Sequence, residues 1–199
     1  MRRTSLSLSG GIATVLLLAS VPTAQAAVSA KDVPSRSDVV AAFPELNGGE
    51  FTTEKSKQIG VPGATCGEAA TDKAKSAIST TATSAAGFPL VVVGAAEVKS
   101  DIKAKAHLAA FKKYVKKCAT FTEPTTGATV TSSLGKNFKL GDDSLAVVQE
   151  TVVMGITSYS TSVLVRDGKR ISSVVAIDDA AIATSSIKKL AKVAAKKLK

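Results

Sequence analysis

Residues Gly141 to Ile177 read GDDSLAVVQETVVMGITSYSTSVLVRDGKRISSVVAI. Val, Ile, Thr, Ser and Leu dominate the stretch, and two dipeptides, Met154-Gly155 and Asp167-Gly168, punctuate it. β-Branched residues fit a pleated, half-buried surface, and glycine supplies the backbone freedom a tight turn needs. Asp-Gly between two such runs signals a hairpin, because a type I′ turn needs positive φ at both central residues. The stretch therefore predicts three consecutive antiparallel strands, at about 144–153, 157–166 and 169–177. A three-stranded meander is stable only if its apolar face is covered, so the rest of the chain must supply that cover.

Two amphipathic helices are available. After Ser100 and Asp101, residues Ala104, Leu108, Phe111, Val115 and Cys118 recur at spacings of four and three, which makes one apolar helical stripe. Lys105, Lys112, Lys113, Lys116 and Lys117 fall on the other side. The C-terminal segment, about 181–198, repeats the design. Ile187, Leu190, Ala191, Ala194 and Leu198 form its stripe, and Lys188, Lys189, Lys192, Lys196 and Lys199 face away. Thr184, Ser185 and Ser186 are its candidate caps.

Upstream, Ser35 or Ser37 is placed to cap a short helix through Phe43, which Pro44 and Asn47-Gly48-Gly49 end. Residues 50–74 read as irregular, with turn signals at Gly60, Pro62-Gly63 and Gly67. Strands are predicted at 75–85, 88–98 and 127–134. The order is α-β-β-α-β-β-β-β-α. It implies an α+β fold: an antiparallel sheet of about five to six strands, two main amphipathic helices packed on it, and one disulfide.

The N-terminus reads as an export signal. Arg2 and Arg3 precede a short apolar run, Ile12 to Val21, and Ala24-Gln25-Ala26 fits the small-x-small rule for cleavage after Ala26. The organisation expected is a signal peptide at 1–26, a flexible lead-in at 27–35 and a single domain at 36–199. The mature chain is expected to be secreted and to lack a transmembrane anchor. The formal charge is +10, and loss of the two arginines leaves +8, a balance that favours anionic partners. Cys66 and Cys118 are the two cysteines. In an exported chain an even pair reads as one disulfide. A zinc site would need two further ligands from a chain with one histidine, and a thiol nucleophile is the other alternative. A disulfide would close a loop of about fifty residues and contribute ~4 kcal/mol in the chain-entropy picture.

An ordered set of pieces resembles the extracellular sensor domain of actinobacterial PknH-type receptor kinases. The set is Cys66 followed by a strand, then Cys118-Ala119-Thr120-Phe121 closing an Ala-rich helix. Leu140-Gly141-Asp142-Asp143-Ser144 comes next, then Val163-Leu164-Val165-Arg166 with Gly168, and finally a terminal helix. The resemblance spans most of residues 35–199. It implies a sheet with flanking helices and disulfides, and an envelope-facing domain that senses or binds a ligand. This chain departs from that pattern in having one Cys pair and no kinase.

Chemical motifs are sparse. His107 is the single histidine and sits at the edge of an apolar helical stripe, where a packed role is expected. The chain has no Gly-x-Ser-x-Gly elbow and no His-Glu-x-x-His helix, and Gly135-Lys136 lacks the spacing of a phosphate loop. Asp142-Asp143 and Asp178-Asp179 lie at element ends, which favours turn and capping roles over acid–base work or cation binding. No catalytic residue, metal or cofactor is expected. The basic charge is almost all Lys with few aromatics, so specific nucleic-acid binding is not expected either. The reading is a non-enzymatic ligand-binding or sensing domain of the cell envelope with an unknown ligand. The alternatives are an electrostatic binder of anionic wall polymer or membrane surface, and an uncharacterised hydrolase. For the electrostatic reading, Lys105, Lys112, Lys116, Lys188, Lys192, Lys196 and Lys199 are the candidate contacts. They form one broad surface only if both helices lie on the same face of the sheet.

Overall fold

A computed structural model describes residues 28–199. The predicted signal peptide lies outside the described residues. The elements in chain order are α1 (Arg36–Ala42), β1 (Glu50–Pro62), β2 (Ala69–Thr83), β3 (Leu90–Glu97), α2 (Asp101–Lys117), β4 (Thr120–Thr122), β5 (Thr129–Leu134), β6 (Asp143–Val153), β7 (Ile156–Asp167), β8 (Arg170–Asp178) and α3 (Thr184–Lys197). All strands join one antiparallel sheet in the order β1-β2-β3-β8-β7-β6-β5-β4.

The sheet has eight strands, which corrects the five to six expected from the sequence. The extra strands come from segments with no apolar alternation. β1, EFTTEKSKQIGVP, is polar through its middle, and the first half of β2, AATDKAKS, is polar on both faces, so periodicity reads them as loop. They are strands because they pair with each other from Glu50–Thr83 to Pro62–Ala69. β1 is an edge, and its Glu54, Lys55 and Lys57, with a register shift between Ser56 and Gln58, suit a strand that must not recruit a neighbour. β4 is only three residues long and was not legible as a separate strand.

The meander is where the sequence put it. Met154 (φ 50) and Gly155 (φ 78) turn β6 into β7 with positive φ at both positions, as a type I′ turn requires. The next turn is displaced by one residue from expectation. Asp167 pairs with Arg170, so Gly168 and Lys169 are the central residues, and only Gly168 has positive φ, at 54. That is the pattern of a type II′ turn, with glycine at the first central position.

Between β3 and β4 the chain crosses to the far edge of the sheet. Five strand spacings of ~4.8 Å make about 24 Å, and the 17 residues of α2 span about 25 Å, so one helix bridges the gap. From β4 the chain returns strand by strand until β8 lies beside β3. α2 buries Ala104, Leu108, Phe111 and Val115 against Ala96, Leu145, Val147, Leu164 and Ile171 on one face. α3 buries Ile187, Leu190, Ala191 and Ala194 with α1 on the other face, against Val91, Val93, Val163, Val165, Val174 and Ala176. The alternation of Val163, Leu164 and Val165 between the two cores follows from the period of two in a strand. The result is three layers, with the two lysine helices on opposite faces.

The helix starts follow local capping rules at two of three places. Ser35 and Asp38 form a capping box on α1, and Ser100 caps α2 by accepting from the Lys103 N–H. α3 begins at Thr184 after Ala183, which provides no side-chain cap, so the expected hydroxyls lie inside its first turn. Residues 28–35, expected to be loose, are packed. Val28 and Val33 are buried, the Val28 N–H donates to Ser76 Oγ at 3.0 Å, and Asp32 pairs with Arg170 at 3.1 Å.

Candidate functional site

An open apolar cleft follows from how far α3 reaches. It covers β7 and β8, and the sheet continues past it to β6 and β5. On that face Ala146 and Val148 of β6 lie beside Val163 and Thr161 of β7. Val148 is 41 % exposed in mid-strand, where a β-branched residue is normally covered. Phe138, from the segment joining β5 to β6, forms one wall, and Ile182 and Ile187 at the start of α3 form the other. They enclose a cleft of about 170 Å3, to which Lys136, Tyr159, Thr161 and Thr184 add polar groups. Beyond Tyr159 stand Glu150 on one neighbouring strand and Asp178 on the other. Burial raises the Asp178 carboxyl above its ordinary pKa, and a hydrogen bond with Asp179 adds to the shift.

A second, smaller cavity of about 30 Å3 lies between α2, β1 and the sheet, lined by Ile59, Gly94, His107, Phe111, Ile171 and Ser173. It has room for a water or two. His107 packs its ring 5.0 Å from that of Phe111, and burial lowers its pKa to about 4, with the charge of Asp72 opposing the shift. A catalytic imidazole is oriented by a hydrogen-bonded partner. Among the described residues no hydrogen bond reaches this one, so its environment is that of a packed neutral side chain.

Cys66 and Cys118 are bonded, with Cα atoms 5.5 Å apart. Cys66 sits at the tip of the β1–β2 hairpin and Cys118 at the end of α2. The Gly67 N–H donates to Tyr114 Oη at 2.6 Å, and Lys117 Nζ donates to Ala64 O at 3.0 Å. The hairpin tip is thus clasped onto the last turn of α2.

The lysines divide into two groups. Lys105, Lys112 and Lys116 lie on the outer side of α2, where Lys105 pairs with Asp101 at 3.0 Å. Lys188, Lys192, Lys196 and Lys199 lie on the outer side of α3. The helices occupy opposite faces, so the seven do not form one surface.

Arg166 was not singled out by charge or spacing, yet it ties together two of the quoted pieces. Its side chain is buried in β7 and bonds Asp101 at the start of α2, Asp142 at 3.1 Å and the Gly168 carbonyl at 3.3 Å. Asp142 also accepts from the Gly168 N–H at 2.8 Å. Gly141, at φ 60, passes so close to Arg166 that a Cβ would lie 2.3 Å from its carbonyl oxygen. The segments Leu140–Ser144 and Val163–Gly168 are therefore a structural joint, and none of their residues lines the cleft.

No protein-family model matches this chain, and no curated protein sequence does. Among solved structures it is similar to the extracellular domain of PknH from Mycobacterium tuberculosis. The TM-score is 0.55 at 12% identity, over 83% of this chain and 92% of that one. A putative uncharacterized protein from Mycobacterium smegmatis aligns with a TM-score of 0.48 at 14% identity, over 81% of this chain and 95% of that one. At such identity the first likeness is one of fold: this chain has the architecture of the PknH extracellular domain. Among the described residues no helix is long and apolar enough to cross a membrane.

Proposed function

We propose that this chain is an exported, non-catalytic binding domain of the cell envelope, and that the cleft beside α3 is its binding site. The observation that carries the reading is the half-exposed apolar floor at Val148, walled by Phe138 and Ile187 in a cleft of about 170 Å3. The disulfide, the export signal and the fold it shares with an extracellular domain support a place outside the cytoplasm. Two measurements test this. Protein recovered from the medium or envelope of its own host should begin at Ala27 and carry a copurifying molecule, identified by mass spectrometry. Val148→Arg, which fills the cleft from a half-exposed position, should lose that molecule while keeping its unfolding midpoint. Retention of the molecule in the variant would remove the cleft as the site.

A second reading has one observation in its favour. α3 carries Lys188, Lys192 and Lys196 and no acidic residue, Lys199 follows it, and among the described residues none of the four has an ion pair. A flat anionic surface could engage α3 or α2, but not both at once. Replacing Lys188, Lys192 and Lys196 by Gln should then abolish low-salt binding to anionic vesicles or wall polymer, while the same change at Lys105, Lys112 and Lys116 leaves it. Equal retention by both variants would end this reading.

A further inference from the structure

The polar groups around the cleft are distributed unevenly along it. On β6 the floor is Ala146 and Val148, and Glu150 follows on the same face, four residues and about 13 Å from Ala146. At the Ala146 end, the Gly135 N–H bonds the Ala146 carbonyl at 2.9 Å and brings Lys136 to the rim. Lys136 is exposed, and among the described residues it has no ion pair and is the sole charged residue of the lining. At the other end Tyr159 stands between Glu150 and Asp178 on the same face. An anion entering there meets two carboxylates, whereas at the Lys136 end it meets an uncompensated ammonium. Between the ends the surface is made by Val148, Phe138, Ile182 and Ile187. The cleft is smaller than the roughly 300–1,000 Å3 of sites that enclose a drug-sized ligand. It therefore fits one apolar segment and leaves the polar part of the ligand at its mouth.

We infer that the ligand is an anionic amphiphile, with its acyl or alkyl tail on the Val148 floor and its charged head at Lys136. This rests on the cleft being the binding site. The head chemistry is that of an oxyanion, which a free fatty acid supplies as carboxylate and a phospholipid as phosphate. An ammonium contributes a non-directional charge that accepts either.

The test compares octanoate, octyl phosphate and octanol as probes of the purified full-length mature protein at low salt. Both anions should bind about fivefold more tightly than octanol, the effect of one near-surface lysine. Lys136→Gln, an exposed and unpaired position whose change leaves the fold alone, should bring all three probes to the affinity of octanol. Tighter binding of octyl phosphate than of octanoate supports a phospholipid source, and the reverse supports a fatty acid. Octanol binding as tightly as the anions would overturn the inference and leave the cleft standing. Binding of none of the three would overturn the cleft as well.

Discussion

Asp142 Oδ2 lies 3.1 Å from Arg166 Nη1 and 2.8 Å from the Gly168 backbone nitrogen, so one carboxylate holds both the buried guanidinium and the turn after it. Arg166 is buried, and among the described residues its Nε has no partner. The remaining bonds to Asp101, Asp142 and Gly168 therefore carry the cost of keeping a charge out of water. Asp142→Asn keeps the shape and removes the charge. It should destabilise the domain by about 2 kcal/mol, the usual effect of weakening a charge-assisted bond to a buried group. A urea midpoint equal to the parent's, with unchanged slope, would show that Asp101 alone satisfies Arg166.

Two glycines of the same joint separate strain from collision. Gly168 has φ 54 and open space around it, so Gly168→Val meets backbone strain alone and should cost about 1–2 kcal/mol. Gly141 has φ 60 and the Arg166 carbonyl in the way, so even Gly141→Ala should cost more than Gly168→Val. Thermal or urea unfolding of the two variants gives the order, and the reverse order would contradict this packing.

His107 makes stability depend on pH in a defined window. Its folded pKa is about 4, against an ordinary 6.5, because burial disfavours the cation. Between these values the unfolded chain binds a proton that the folded chain does not. Stability therefore falls as the pH drops from 6.5 toward 4, by about 1.4 kcal/mol per unit and about 3 kcal/mol in all. Below 4 this residue contributes no further change. Glu97, whose carboxyl is depressed first by its bond to Lys169, loses its own contribution at lower pH, as the pH falls below its ordinary 4.5. Unfolding midpoints from pH 7 to 5 should slope in the parent and be nearly flat over that range in His107→Phe. A parent with no slope above pH 4.5 would mean that the imidazole is hydrated in the folded protein.

The disulfide should act chiefly on the unfolded chain. Its cysteines are 52 residues apart, a loop for which chain entropy predicts ~4 kcal/mol. Reduction, or Cys66→Ser with Cys118→Ser, should lower stability by about that amount. Tyr114→Phe, which removes only the hydroxyl that accepts from Gly67, should cost about 1 kcal/mol in the oxidised protein. A reduced protein as stable as the oxidised one would show that the clasp is held by packing alone.

What was legible in the sequence is what local physics dictates. The apolar stripes of α2 and α3, the Ser35 and Ser100 caps and the Met154-Gly155 turn of the meander depend on residues within a few positions of one another, so spacing reveals them. The disulfide was legible because two cysteines leave one pairing. β1 and the first half of β2 were not legible, because their polar faces carry no period and they are strands only through pairing with each other. The partners of Arg166 lie 65 and 24 residues away, in α2 and before β6, and no spacing rule connects such positions. The side of the sheet on which each helix lies was also outside the reach of sequence. A stripe says that a helix must be buried, and the alternation of Val163, Leu164 and Val165 offers it two apolar faces of equal quality. Only the crossing of α2 to the far edge and the return of the chain to β8 assigned one face to each helix. That assignment divided the lysines between two surfaces and left the floor at Val148 open beside α3.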